Sequence, residues 1–71
     1  MSMPLSMLEE GNNGTIVRVG GLEETRQFLE KLGFVVGADV EVVSKMSGNV
    51  IVNVKGSRVA IGKDMANKIM I

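Results

Sequence analysis

The sequence predicts a mainly β fold, a small five-stranded barrel with one amphipathic helix, and three observations carry that expectation. Short segments rich in β-branched residues recur along the chain, glycine-containing turns separate them, and one stretch alone changes to helical spacing. Closing such strands into a barrel removes most of the exposed sheet edge that invites aggregation.

The elements follow in order. Gly11-Asn12-Asn13-Gly14 is a turn cluster, and Thr15–Val19 after it reads as a strand ended by Gly20-Gly21. From Leu22 the period changes. Leu22, Phe28, Leu29 and Leu32 fall within an arc of about 120° on a 3.6-residue helix, with Glu23, Glu24, Gln27 and Lys31 outside it, so Leu22–Leu32 is expected to be helical and to cover one opening of the barrel. Glu23 and Glu24 in the first turn and Lys31 in the last complement the helix dipole, and Gly33 is placed to end the helix in a left-handed conformation.

Gly37-Ala38 then turns the chain into Asp39–Met46, a strand with Val40 and Val42 on one face and Glu41 and Lys45 on the other. Ser47-Gly48-Asn49 reverses it into Val50–Val54, and the two residues Lys55-Gly56 reverse it again into Ser57–Ile61. Only the register with Val54 opposite Ser57, Val52 opposite Val59 and Val50 opposite Ile61 gathers the five apolar residues on one face, which leaves Asn53 beside Arg58 on the other. Lys63–Asn67 is expected to make one helical turn and Lys68–Ile71 a last short strand, with Ile69 and Ile71 on one side.

Length and composition narrow the function. Seventy-one residues make one domain, residues 1–71, and such a chain buries only about 60% of its unfolded surface. The longest apolar run, Leu32–Ala38, is far short of the roughly 20 residues of a membrane span. MSMPLSML lacks a basic start and a cleavage pattern, so a cytoplasmic location is expected. Without cysteine or histidine, most catalytic constellations and the strongest metal ligands are excluded, and no enzyme activity is expected. Glu9, Glu10, Glu23 and Glu24 are the remaining candidate donors for iron, but Glu23 and Glu24 point about 100° apart on a helix, which suits the dipole better than a chelate. No cofactor and no metal site is therefore expected.

The net charge is zero, yet Met1–Ser44 holds seven acidic and three basic residues whereas Lys45–Ile71 holds one acidic and five basic. Zero net charge and two aromatic residues speak against a nucleic-acid partner. The glycines of Gly14–Gly21 flank a strand and lack a Gly-Lys-Ser/Thr ending, so they read as turns and not as a phosphate loop. Arg18, Arg26 and Arg58 sit on regular elements, where surface charge is the simpler reading than an arginine finger for a partner's nucleotide site. Met46, Met65 and Met70 lie near strand ends or turns and divide between core filling and a soft binding surface, while Met1 and Met3 are terminal. A partner-binding patch is expected from Lys45, Asn53, Lys55 and Arg58, with Val43 and Met46 as apolar neighbours.

Periodicity alone leaves an SH3-like and an OB-like barrel both open. Four segments in order resemble the ferrous-iron-transport protein A family, FeoA: PLSML at Pro4–Leu8 with GNNGTIVRVGG at Gly11–Gly21, FLEKLGFVVG at Phe28–Gly37, ADVEVVSKM at Ala38–Met46, and VNVKGSRVAIGKDMANKIMI at Val52–Ile71. Val36 stands where many members carry proline, a change that loosens the turn without altering the fold. The resemblance implies an SH3-like barrel that acts with the membrane GTPase transporter FeoB and reaches the membrane only through it. The same module resembles the C-terminal domain of iron-dependent repressors, which gives a regulatory module as the alternative. Lacking tyrosine and tryptophan, the chain has no groove for proline-rich peptides of the SH3 kind.

Overall fold

The structure is a computed structural model that describes residues 2–71; Met1, expected to be simply terminal, lies outside the described residues. A 3-10 turn at Leu5–Met7 precedes β1 (Asn13–Thr15), β2 (Arg18–Val19), α1 (Glu23–Lys31), β3 (Asp39–Met46), β4 (Asn49–Val54), β5 (Ser57–Gly62), α2 (Lys63–Ala66) and β6 (Ile69–Met70). The strands form a four-stranded antiparallel sheet, β1-β3-β4-β5, and a two-stranded sheet, β2-β6.

The expected strand Thr15–Val19 divides: Thr15 ends β1, which begins at Asn13 inside the expected turn cluster, and Arg18–Val19 form β2, so six strands are found among the described residues instead of five. Ile16 exchanges backbone bonds with the segment before β3, its N–H donating to Ala38 at 2.9 Å and its carbonyl accepting from Gly37 at 2.8 Å, whereas the next N–H, of Val17, donates to Met70 at 2.8 Å. The chain changes partners within two residues and passes from one sheet to the other. Buried Ile16 and exposed Val17 mark the corner. The terminal segments clasp each other beside it: Met3 and Ile71 exchange two backbone bonds of 2.9 Å, and Pro4 bridges Met70. Met3 is thus part of the fold, not a loose end.

Both hairpins turn through two residues. Ser47 and Gly48 have φ of 48° and 82°, and Lys55 and Gly56 have 51° and 76°, the doubly positive pattern whose twist matches antiparallel strands. Asn49, expected in the first turn, already pairs with Met46. The register of the second hairpin is the expected one, with Val54 opposite Ser57, Val52 opposite Val59 and Val50 opposite Ile61.

The core gathers Leu5, Leu8, Ile16, Leu29, Phe34, Ala38, Val40, Val42, Val50, Val52, Val54, Ile61, Ala66 and Ile69 in one cluster. From α1 only Leu29 is fully buried. Leu22, expected on the buried arc, is the residue preceding the helix and is 79% exposed, and Phe28, at the rim of the arc, is 49% exposed. The helix end does most to join α1 to the core. Gly33 donates to Glu30 at 3.0 Å and Phe34 to Leu29 at 3.0 Å, the paired bonds of a left-handed helix stop, and this folds the buried Phe34 back toward Leu29.

Candidate functional site

The three long strands present an outer face opposite the core, and their register decides which side chains share it. Directly paired residues in an antiparallel sheet project to the same side. Val40 and Val54, Val42 and Val52, Val52 and Val59 and Val50 and Ile61 therefore define the inner side, and Glu41, Asn53 and Arg58 lie together outside. These three are linked across β3, β4 and β5: Asn53 Nδ2 donates to Glu41 Oε1 at 3.1 Å, and Arg58 Nε donates to Asn53 Oδ1 at 3.3 Å. The expected pairing of Asn53 with Arg58 is present, but Glu41 joins it, so this part of the face is charge-balanced and not simply basic.

A bulge corrects the place of Lys45. Val42 pairs with Val52 and Ser44 with Ile51, which leaves Val43 as an extra, half-buried residue. Beyond it the alternation of β3 inverts, and Lys45 pairs with Val50 on the inner side of the sheet, away from Asn53 and Arg58. Its side chain reaches the open end of the sheet, where Nζ donates to the Ser6 carbonyl at 2.9 Å. Its backbone N–H donates to Glu10 Oε2 at 2.6 Å, which engages one of the carboxylates considered for metal. The same inversion carries Met46, 61% exposed, onto the outer face with Ser44 and Asn49.

Of the six residues expected in the patch, Met46, Asn53 and Arg58 share the outer face. Lys55 occupies the β4–β5 turn, where its stem lies against Gly33, and Val43 and Lys45 do not join the others. Sequence reasoning missed Ile51 and Ala60, which face each other on this outer side between Met46 and Arg58. The signal was available: if Val50, Val52 and Val54 point inward, period two sends Ile51 outward.

Three clefts flank the sheets. One of about 310 Å³ lies at the β3–β4 hairpin between Ser6, Lys45, Met46, Asn49, Val50 and Lys63. Another, of about 290 Å³, lies between α1 and β2 and takes in Arg18, Arg26, Glu30, Phe34 and Val36. A third, of about 260 Å³, is lined by Asn13, Asp39, Glu41, Asn53 and Lys55. Arg18 and Arg26 thus meet at one cleft, whereas Arg58 belongs to the outer face. Met65 packs against the core and Met70 is half-buried in β6, so Met46 is the exposed one of the three methionines singled out. Glu23 and Glu24 stand in the first turn of α1, and among the described residues no group of three Asp, Glu, His or Cys is placed to hold a metal ion.

The FeoA domain model matches residues 3–71. A Methanocaldococcus jannaschii protein described as an Fe(2+) transport protein A is 32% identical over 68 residues, which cover 96% of this chain and 83% of that one. The crystal structure of an iron uptake regulatory protein, also called FeoA, superposes with a TM-score of 0.90 at 38% identity, covering 99% of this chain and 93% of that one. FeoA of Stenotrophomonas maltophilia, a procaryotic SH3 domain protein whose structure is a zinc complex, gives a TM-score of 0.85 at 27% identity over 94% and 86% of the two chains. A manganese-dependent transcriptional repressor gives 0.91 at 18% identity, over 99% of this chain and 40% of that one, a likeness of fold alone. The mainly β architecture is the SH3-like one. With the family model spanning nearly the whole sequence, the chain belongs to the FeoA domain family.

Proposed function

We propose that residues 1–71 act as a single domain in ferrous-iron uptake, docking on the cytoplasmic part of a FeoB-type membrane GTPase and modulating its assembly or its GTP-linked activity. The match to the FeoA domain across residues 3–71 is the observation that carries this reading. The surface is in keeping with a binding role and not a catalytic one. Met46, Ile51 and Ala60 supply apolar contact beside the Glu41–Asn53–Arg58 chain, an arrangement in which buried apolar area gives affinity and charged neighbours set orientation and association rate. No helix of the described residues is long and apolar enough to cross a membrane; on this reading the domain reaches the membrane through its partner.

A second reading, which rests on the resemblance of the module to the C-terminal domain of iron-dependent repressors, is a regulatory module that contacts a DNA-binding domain. Affinity capture from solubilised membranes, with and without a GTP analogue and with the captured proteins identified by mass spectrometry, separates the two. A membrane GTPase recovered in amounts that respond to nucleotide is the expected result. Recovery of a helix-turn-helix protein in its place would favour the second reading and overturn the first.

A further inference from the structure

The two long edges of the four-stranded sheet are treated differently. Beyond the reach of β1, the outward backbone groups of β3 are covered: Gly11 donates to Val42 at 2.8 Å, Val42 donates to Asn12 at 3.0 Å, and Lys45 donates to Glu10 Oε2. On the opposite edge, β5 pairs with β4 alone. Because the β4–β5 hairpin closes through a two-residue turn, Val54 and Ser57 form its first hydrogen-bonded pair, and the bonded positions of β5 are Ser57, Val59 and Ile61. The N–H and C=O groups of Arg58 and Ala60 therefore point away from the sheet. Both residues are exposed, and among the described residues neither has a backbone partner.

An edge of this kind accepts another extended strand, and the charges along it decide which one. From residue 55 to residue 63 the chain carries Lys55, Arg58 and Lys63 and no acidic residue; the next is Asp64 in α2. A second copy of this chain pairing through β5 would bring two such basic segments together, and in the antiparallel register centred on Val59 it would set Lys55 of one copy opposite Lys63 of the other. An acidic strand meets no such repulsion. We infer that the free edge of β5 is a strand-addition site for an extended, acidic segment of a partner protein, which would lengthen the sheet to five strands and lie beside the outer face at Arg58 and Ala60.

This inference rests on the docking reading for its occupant being a partner protein, but its test does not require the transporter. The probe is a capped peptide of alternating glutamate and valine, titrated into the uniformly ¹⁵N-labelled protein and followed by amide shifts and amide hydrogen exchange. Saturable shifts centred on β5, with slowed exchange at Arg58 and Ala60, are expected. The same peptide N-methylated at every interior amide keeps its side chains and charge but cannot form a ladder, and should bind at least about tenfold more weakly. Ala60→Pro removes an outward N–H that the fold does not use, and should weaken binding by a similar factor in a protein whose melting is checked in parallel. Arg58→Glu with Lys63→Glu keeps the backbone and should also weaken it.

Equal binding of the methylated peptide, shifts centred away from β5, or no saturable shifts would overturn the inference while leaving transporter capture untouched. Protection at Arg58 and Ala60 that grows with protein concentration in the absence of peptide would identify a second copy as the occupant, and would overturn it as well.

Discussion

Lys45 lies directly across β3 and β4 from Val50, on the inner side of the sheet, and its ammonium ties the open end of that sheet to the 3-10 turn through the Ser6 carbonyl at 2.9 Å. Glu10 approaches the same residue, its carboxylate accepting the Lys45 N–H. Reversing this charge removes the tie and sets a carboxylate near Glu10. Lys45→Glu is expected to lower stability by about 1 kcal/mol, or about 4–8 °C in melting temperature for a chain of this size. Because Lys45 and Arg58 lie on opposite faces, Lys45→Glu should leave transporter capture near the parent's level, whereas Arg58→Glu should reduce capture with little change in melting. Equal loss of capture in both variants would mean that the docking surface wraps around the hairpin end.

Val52 has no exposed surface and stands between Val42 and Val59. An aspartate there buries a carboxylate with no partner, which costs roughly 4 kcal/mol or more. At this length the whole stability is of order 4–10 kcal/mol, so Val52→Asp is expected to unfold the protein or bring it to the edge of unfolding. Far-UV circular dichroism and urea titration report the outcome. A parent-like urea midpoint would contradict the burial of this position.

Gly33 and Gly37 share positive φ, 107° and 91°, but a Cβ at Gly33 would meet Lys55 Cγ at 2.9 Å and Cβ at 3.2 Å, whereas nothing lies within 4 Å of one at Gly37. Gly37→Ala should cost only the strain of a left-handed alanine, about 1–2 kcal/mol. Gly33→Ala should cost more, because the helix stop and the β4–β5 turn are pressed together there. Shortening the turn residue relieves the clash, so Gly33→Ala combined with Lys55→Gly should be less destabilised than the sum of the single variants, measured as a double-mutant cycle in urea. Strict additivity would show that the two segments do not press on each other.

Ferrous iron or zinc should find no stoichiometric site in the isolated protein. The chain has neither histidine nor cysteine, Glu10 is engaged by a backbone N–H, and among the described residues no three acidic side chains converge. Anaerobic titration calorimetry is expected to show no saturable binding at low micromolar affinity, about −8 kcal/mol. A one-to-one isotherm of that strength would require a site assembled from carboxylates and backbone oxygens, with Glu9 and Glu10 the first positions to replace.

Local chemistry by itself determined α1, the three long strands and their hairpin pairing in this protein. Positive-φ turns at Ser47-Gly48 and Lys55-Gly56, alternation in Val50–Val54 and the glycine stop after α1 are settled within a few residues, because turn geometry and period two act over that distance. Tertiary structure decided three further things. The strand expected at Thr15–Val19 divides because its hydrogen-bond partners lie in two different sheets, one before β3 and one at the C-terminus. The bulge at Val43 sends Lys45 to the inner side, since an extra residue is recognisable only against the partner strand it fails to match. The unequal edges of the sheet likewise depend on distant segments: Glu10 to Asn12 returns to cover β3 and, among the described residues, none returns to pair with β5, so the composition of β5 could declare its charge but only the assembled sheet could leave its backbone free.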